Sequence, residues 1–269
     1  MNIGKSIRIN RIFSHPSGRL CSVAVDHYVG YSMGLPEGLL NMPKTLAEIV
    51  AGKPGAVTMN KGIAMSCWEP HAGQVPLIIQ AGWFTADDVI METVSSPEEV
   101  VRLGADAIAF SIGVRGPNEG KYMKSLAHVV NQASRFDLPV IAHIYPRDFS
   151  GVPKPLHDAE NIAWAARAGL ECGADIIKVA YTGDVKSFSQ IVSTCPVPIV
   201  AAGGPKSETL VEALKLMRDA CQAGARGATI GRNIWGNSNP ARALQAFKLV
   251  VLEKEEPEAV FKQLFQRTP

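Results

Sequence analysis

Short apolar runs alternate with longer stretches of helical periodicity along most of the chain. The helical stretches repeat apolar residues every three or four positions, as Leu126, Val129, Val130 and Ala133 do. The apolar runs are rich in Val, Ile and Ala without polar alternation, which is typical of parallel strands buried on both faces. The predicted strands are residues 20–25, 56–59, 76–80, 106–110, 138–144, 175–179, 197–201 and 227–230. The predicted helices are residues 97–103, 121–136, 158–172, 185–193, 208–223, 240–252 and 258–265.

This order gives repeated units of a strand followed by a helix. Such units form a parallel sheet with right-handed crossovers, and 269 residues suit one closed (β/α)8 barrel better than an open sheet. No linker or change of composition divides the chain, so residues 1–269 are expected to form a single α/β domain, a TIM barrel. The least regular segment, residues 28–43, follows the first strand, where a barrel places an active-site loop.

Composition narrows the classes of function. The chain is 46% hydrophobic, and its formal charge of +2 does not suggest a nucleic acid or membrane partner. No apolar stretch is long enough to cross a bilayer, and the N-terminus lacks a signal-peptide pattern, so a cytoplasmic location is expected. The five scattered cysteines form no CxxC pair and imply neither disulfides nor a zinc site.

One lysine lies inside an apolar strand, in the sequence Ile176-Ile177-Lys178-Val179. Burying an ammonium group is unfavourable, so such a site either pairs the charge or lowers the lysine pKa. A desolvated lysine is partly a neutral amine, which can attack a carbonyl and form a Schiff base. The alternative is that Lys178 lies at a strand end and extends its ammonium group into water.

Two later strands end in glycine. Gly203 and Gly204 follow one strand, and Gly231 and Arg232 follow the next. Glycine lets backbone N–H groups approach a ligand closely, and in a barrel the loops after the last two strands often bind phosphate. Each glycine alone is ordinary turn chemistry, but their order after Lys178 suggests a Schiff-base enzyme acting on a sugar phosphate.

Other polar residues fall at predicted strand ends, where barrel active sites are built. Asp26 and Tyr145 would bring a carboxylate and a phenol to the same mouth as Lys178, which suits proton transfer around an iminium. Either could instead be structural, as a cap or a packed aromatic ring, and Arg232 could pair with a carboxylate. The candidate substrate-binding residues are His27, His143, Lys61 and Lys206. No metal site is expected, because no second ligand accompanies His27 at metal-binding spacing.

At these residues the chain resembles the archaeal-type class I aldolases, the DhnA-like branch of the DeoC/LacD aldolase family, which includes fructose-bisphosphate aldolases. The resemblance rests on the segments 24–27, 144–147, 174–184, 202–206 and 231–235, and therefore covers nearly the whole chain.

The resemblance implies a role for each matched position. Lys178 would form the Schiff base, Tyr145 would act as general acid/base on the enamine, and Asp26 would handle hydroxyl protons and imine formation. Gly203, Gly204, Gly231 and Arg232 would bind the substrate phosphate. The family uses no metal or other cofactor and is usually oligomeric, which implies a homo-oligomer that acts on a small sugar phosphate.

The sequence also departs from the family pattern. Tyr28 follows Asp26-His27 where many relatives have glycine, Asp148 stands where relatives often have glycine, and His143 occupies a position that is aromatic in some fructose-bisphosphate enzymes. These positions would face the acceptor end of the substrate, so the imine chemistry is indicated more firmly than the substrate.

Three functions remain after the sequence analysis. The first is a class I lyase of the fructose-bisphosphate aldolase type. The second is a related transfer enzyme, either a 2-amino-3,7-dideoxy-D-threo-hept-6-ulosonate synthase with a transaldol reaction or an acyl-transferring autoinducer-2 thiolase. The third is a sugar-phosphate-binding barrel without catalysis.

Overall fold

The computed structural model describes residues 2–27, 34–85, 87 and 91–266, and within them eight parallel strands close into a barrel. The barrel order is β1, β2, β3, β5, β6, β8, β9 and β10, with β10 paired to β1. The predicted (β/α)8 barrel is therefore confirmed. The strands are β1 (Leu20–Ala24), β2 (Val57–Asn60), β3 (Leu77–Phe84), β4 (Met91–Thr93), β5 (Ala107–Val114), β6 (Val140–Asp148), β7 (Lys154–Pro155), β8 (Ile176–Ala180), β9 (Ile199–Ala202) and β10 (Gly227–Ile230).

Helices surround the barrel and connect its strands. They are α1 (Ile3–Ile12), α2 (Met42–Ala51), α3 (Lys61–Cys67), α4 (Pro97–Arg102), α5 (Glu119–Ser134), α6 (Ala159–Glu171), α7 (Val185–Thr194), α8 (Leu210–Gln222), α9 (Arg232–Trp235), α10 (Pro240–Val251) and α11 (Pro257–Phe265), with 3-10 turns at Glu37–Leu39 and Glu69–His71. Side-chain caps begin several of them: Ser96 and Thr209 form capping boxes at α4 and α8. No helix among the described residues combines the length and apolar character that a membrane crossing needs.

The two faces of each strand belong to two separate apolar clusters. Outward-facing residues such as Val57, Ile79 and Ile177 pack under the helices in the larger cluster. Inward-facing residues fill the lower barrel in a smaller cluster that includes Ala56, Ile78, Ala107, Ile141, Ile176 and Val200. Alternate residues of a strand point to opposite faces. Because both faces are apolar in the first half of these strands, the sequence there shows no alternation of polar and apolar residues.

The inward face becomes polar toward the C-terminal ends of the strands. On β6 it proceeds from Ile141 through His143 and Tyr145 to Arg147, and on β8 it proceeds from Ile176 to Lys178. The lower barrel is thus a packed core, whereas the upper barrel presents polar side chains to an opening. This arrangement places the functional end of the barrel at the C-terminal ends of its strands.

Helix α1 covers the opposite end of the barrel. Ile12 and Phe13 pack into the inner cluster, Lys5 Nζ lies 2.9 Å from Asp175 Oδ1, and Arg11 Nη1 lies 3.2 Å from Asp106 Oδ1. The sequence analysis did not predict this helix, nor α2 and α3. Helix α1 buries only Ile12 and α3 buries only Ala64, so neither has a repeating apolar face. Helix α2 does have one, with Leu46, Ile49 and Val50 buried, and it was missed. The predicted loop 28–43 also ends earlier, since α2 begins at Met42.

We expect the Ile12→Ala variant to lower the free energy of unfolding by about 2–5 kcal/mol, because it leaves a cavity at the closed end of the barrel. Ile12 is 1% exposed, whereas Ile3 in the same helix is 79% exposed. The control variant Ile3→Ala should change stability by less than about 0.5 kcal/mol. Urea unfolding measures both free energies of unfolding. Equal losses of stability in the two variants would contradict the role of Ile12 in closing this end of the barrel.

Candidate active site

The open end of the barrel holds a cavity of about 370 Å³. Its lower wall consists of inward-facing residues near the ends of the barrel strands. Its rim includes Trp83 and Phe84 at the end of β3, and Pro153 and Pro155 at β7, which pairs with β6. The lining residues used below are Asp26, His27, Asn60, Gln80, Trp83, Phe84, Ser111, Tyr145, Arg147, Pro153, Pro155, His157, Lys178, Gly203, Gly204, Gly231 and Arg232.

Lys178 is a buried lysine that lines this cavity. It is 6% exposed and lies on the inner face of β8, in register with His143 on β6 and Val200 on β9. Burial lowers its pKa below the usual value of lysine, the Asp26 carboxylate acts in the opposite direction, and Arg232 lowers the pKa further. The result is a lysine with an increased fraction of neutral, nucleophilic amine at neutral pH.

Asp26 and His27 stand just beyond the end of β1. The Asp26 Oδ1 and His27 Nδ1 atoms are 3.5 Å apart, and the imidazole meets the Trp235 ring edge-on at a centroid distance of 5.3 Å. Burial lowers the pKa of His27 to about 4, although the Asp26 carboxylate opposes the shift. His27 is therefore a neutral imidazole near pH 7, and Asp26 is the carboxylate of this side of the cavity.

Tyr145 lies on β6, two residues beyond His143, and lines the cavity. Its ring centroid is 6.1 Å from that of Phe84, whose face also carries the Arg147 guanidinium at 4.5 Å. His143 does not line the cavity but is buried beside Lys178. Burial first, and then the charge of Lys178, hold the pKa of His143 well below its usual range.

Gly203, Gly204, Gly231 and Arg232 meet on one side of the cavity. A Cβ atom on Gly203 would lie 2.9 Å from Ile230 Cα, and one on Gly231 would lie 2.4 Å from His27 Cε1. Gly204 has φ of +68°, in the left-handed region that favours glycine. Only glycine therefore allows the backbone to pass this closely to the cavity wall.

Asn233 fixes the two glycine loops to each other. Its Nδ2 donates to the carbonyl oxygens of Gly203 at 3.1 Å and Pro205 at 2.9 Å, and its Oδ1 accepts from the backbone N–H of Ser207 at 2.9 Å. Asn233 is 6% exposed, so these bonds satisfy a buried amide. The loops around Arg232 are thereby held in place before any ligand arrives.

Two of the candidate lysines do not line the cavity. Lys61 begins α3 outside the barrel, where its Nζ lies 2.9 Å from Glu99 Oε1. Lys206 Nζ donates to the carbonyl oxygen of Gly236 at 2.6 Å, so it joins the two glycine loops. The structure thus brings together eight of the predicted residues around the cavity, with His143 directly behind it, and leaves these two aside.

Sequence reasoning missed several lining residues. Asn60, Gln80 and Ser111 each interrupt or end an apolar strand, which is the same signal that identified Lys178. His157 and the prolines of the rim come from the β6–α6 connection, for which no local pattern distinguishes a rim from an ordinary loop.

The structure describes only part of the predicted loop. Residues 28–33, including Tyr31 and Met33, lie outside the described residues. Gly38 is not a free hinge, because a Cβ atom there would lie 2.1 Å from the Trp235 carbonyl oxygen, and its own carbonyl accepts from Thr45 Oγ1 at 2.7 Å. Among the described parts of the chain, no group of three or more His, Cys, Asp and Glu residues is arranged to hold a metal ion.

Comparison with known proteins identifies a consistent group of relatives. The profile of the DeoC/LacD family aldolases matches residues 20–237. The chain is 35% identical to the 2-amino-3,7-dideoxy-D-threo-hept-6-ulosonate synthase of Halobacterium salinarum, over 95% of this chain and 94% of that protein. It is 34% identical to the class 1 fructose-bisphosphate aldolase of Thermoproteus tenax, over 90% and 92% of the two chains.

Solved structures give the same result. An archaeal fructose 1,6-bisphosphate aldolase superposes with a TM-score of 0.80 at 31% identity, over 93% of this chain and 99% of that one. A second structure of such an enzyme, with its catalytic lysine bound to the carbinolamine intermediate, superposes with a TM-score of 0.79 at 30% identity, over 92% and 99%.

Proposed function

The chain belongs to the DeoC/LacD family of aldolases, and from this premise we propose that it is a class I aldolase whose imine forms on Lys178 and whose substrate is a phosphorylated ketose. The observation that carries the proposal is the position of Lys178, which is buried on the inner face of the barrel and lines one cavity together with Asp26 and Tyr145.

The first half of the reaction forms the imine. The neutral Lys178 amine adds to the ketose carbonyl and gives a carbinolamine, and loss of water from it gives a protonated imine. Asp26 exchanges the protons of this step, because its carboxylate is the anionic group whose charge acts on Lys178. Buried and neutral, His27 and His143 add no further positive charge to this wall at pH 7.

The second half breaks the carbon–carbon bond. Asp26 accepts the proton of the hydroxyl on the far side of the bond, that carbon becomes an aldehyde, and the bonding electrons pass into the imine to give an enamine. Tyr145 then protonates the enamine carbon, and water hydrolyses the imine to release the second product. The same steps in reverse form the bond.

The charges of the cavity favour a phosphorylated substrate. Gly203, Gly204 and Gly231 bring the backbone to the cavity wall beside the Arg232 guanidinium, which can form two parallel bonds to a phosphate. Arg147 adds a second cation at the rim. A bisphosphate of the fructose type is the substrate we favour, in agreement with the names of the Thermoproteus tenax relative and the archaeal structures.

A transfer reaction is the second candidate. The Halobacterium salinarum relative is named as a 2-amino-3,7-dideoxy-D-threo-hept-6-ulosonate synthase. In this chain His143 also stands where some fructose-bisphosphate enzymes have an aromatic residue. In this reaction the enamine would be passed to a different acceptor aldehyde. Analysis of the products formed from fructose bisphosphate with and without a second aldehyde separates the two candidates.

We also propose that the protein works as a homo-oligomer. Large apolar side chains are exposed at Leu40, Met65 and Val152, with exposed fractions of 63%, 70% and 89%, and such side chains suit a subunit contact. The cytoplasmic location stays a prediction from the sequence.

Borohydride with a ketose bisphosphate should attach the reduced substrate to Lys178, because reduction traps the imine. The Lys178→Met variant should lose both trapping and turnover, whereas the control variant Lys61→Met should keep both, since Lys61 is paired with Glu99 outside the cavity. Mass spectrometry of the modified peptide identifies the lysine. An adduct on any other lysine would show that the assignment is wrong.

The Tyr145→Phe variant should slow turnover by about 100- to 10,000-fold, the usual contribution of a general acid or base, because the enamine left after cleavage then lacks its proton donor. Trapping should survive, because the imine forms without protonation of the enamine. Steady-state turnover and trapping are measured on the same preparation. Turnover at the wild-type rate would remove Tyr145 from the reaction.

A further inference from the structure

Gln80 lines the cavity and has a side-chain hydrogen-bond acceptor that no described protein group uses. It is 2% exposed on the inner face of β3, and its Nε2 donates to the Gly82 carbonyl oxygen and, at 2.7 Å, to Ser111 Oγ. The carbonyl oxygen of Gly82 accepts but cannot donate, so the amide cannot be turned around. Among the described residues, Gln80 Oε1 is buried and has no hydrogen-bond partner.

Asn60 adds a second acceptor beside the first. Asn60 lies on β2, in register with Gln80 on the neighbouring strand β3. Its Oδ1 is also buried without a partner among the described residues. Asn60 occupies the N-cap position of α3, where an asparagine side chain usually bonds to the helix, but it forms no capping bond. Both residues line the cavity instead.

The barrel order places the strands of Asn60 and Gln80 across from the strands of the imine lysine and the glycine loop. Around the closed sheet, β2 is four strands from β8, which carries Lys178, and β3 is four strands from β9, which precedes Gly203 and Gly204. A substrate that reaches from the glycine loops to Lys178 therefore continues toward Asn60 and Gln80. The carbons beyond the imine would then be the ones nearest to Asn60 and Gln80.

The charges of the cavity decide which donor these oxygens suit. An unpaired buried acceptor is unfavourable, so two neighbouring amide oxygens call for O–H or N–H groups on a ligand. The charged lining residues are Arg147 and Arg232 against Asp26, and the protonated imine on Lys178 adds a further positive charge. This excess of positive charge disfavours an ammonium group. A neutral hydroxyl fits both the acceptors and the charge.

We propose that Gln80 and Asn60 determine specificity for a hydroxyl group on the substrate chain beyond the imine carbon. The protein would thus select polyhydroxylated ketose phosphates over deoxy analogues. This inference rests on the proposed function, because it uses the imine at Lys178 to place the substrate.

The test is imine trapping with a ketohexose bisphosphate and with its 3-deoxy, 4-deoxy and 5-deoxy analogues, because trapping does not require cleavage. The measured quantity is the substrate concentration that gives half-maximal trapping. For the wild type, at least one analogue should need a concentration about 10- to 100-fold higher, since an acceptor is then left unpaired.

Gln80→Met keeps the side-chain length and removes both polar atoms. It should weaken trapping of the hydroxylated ketose and leave trapping of the weakly bound deoxy analogue unchanged. The ratio of the half-maximal concentrations, analogue over hydroxylated ketose, should therefore fall toward one. Asn60→Ala should lower the same ratio and provides the answer if Gln80→Met fails to fold. The control variant Gln74→Met, at an exposed glutamine, should keep the wild-type ratio.

A wild-type ratio near one for all three analogues would overturn the proposal, as would an unchanged ratio in the folded variants at positions 80 and 60. Such results would show that Gln80 and Asn60 have a structural role in the barrel and do not bind the substrate hydroxyl. Loss of trapping with every ketose in the wild type would contradict the proposed function itself.

Discussion

The burial of one ammonium group is the constraint on which the rest of the site depends. Lys178 lies in a closed sheet whose neighbouring strands are paired on both sides, so its side chain can leave the apolar interior only toward the cavity. Desolvation lowers its pKa, and the Asp26 carboxylate limits that shift. The lysine is therefore held between the charged form that folding disfavours and the neutral form that reacts with a carbonyl.

The remaining features of the cavity support this balance. The lower barrel is filled by apolar side chains and closed by α1. The inward-facing polar groups above it therefore face the cavity at the open end. His27 and His143 remain neutral beside the lysine because they too are buried. On the other side, Asn233 holds the glycine loops together by three hydrogen bonds, and Arg232 supplies a charge suited to a phosphate.

Much of this architecture could be predicted from the sequence, because eight apolar runs separated by helical stretches favour a barrel, and Lys178 and the glycine loops stand out against them. The inner and outer faces of the strands could not be told apart, since both are apolar below the cavity. For the same reason Gln80 and Ser111, which carry the signal that marked Lys178, were passed over. Lys61 follows a strand in sequence, but the turn into α3 carries it away from the cavity to Glu99, and only the three-dimensional path reveals that.

The ionisation of Lys178 tests the central claim most directly. Its Cε and Nζ signals can be followed by NMR from pH 6 to 11 in protein labelled at lysine and assigned with the Lys178→Met variant. The account predicts a pKa below the ordinary value of about 10.4, and a further decrease in Asp26→Asn, because that variant removes the carboxylate that raises it. A lysine that titrates at or above the ordinary value, with no response to Asp26→Asn, would contradict the account.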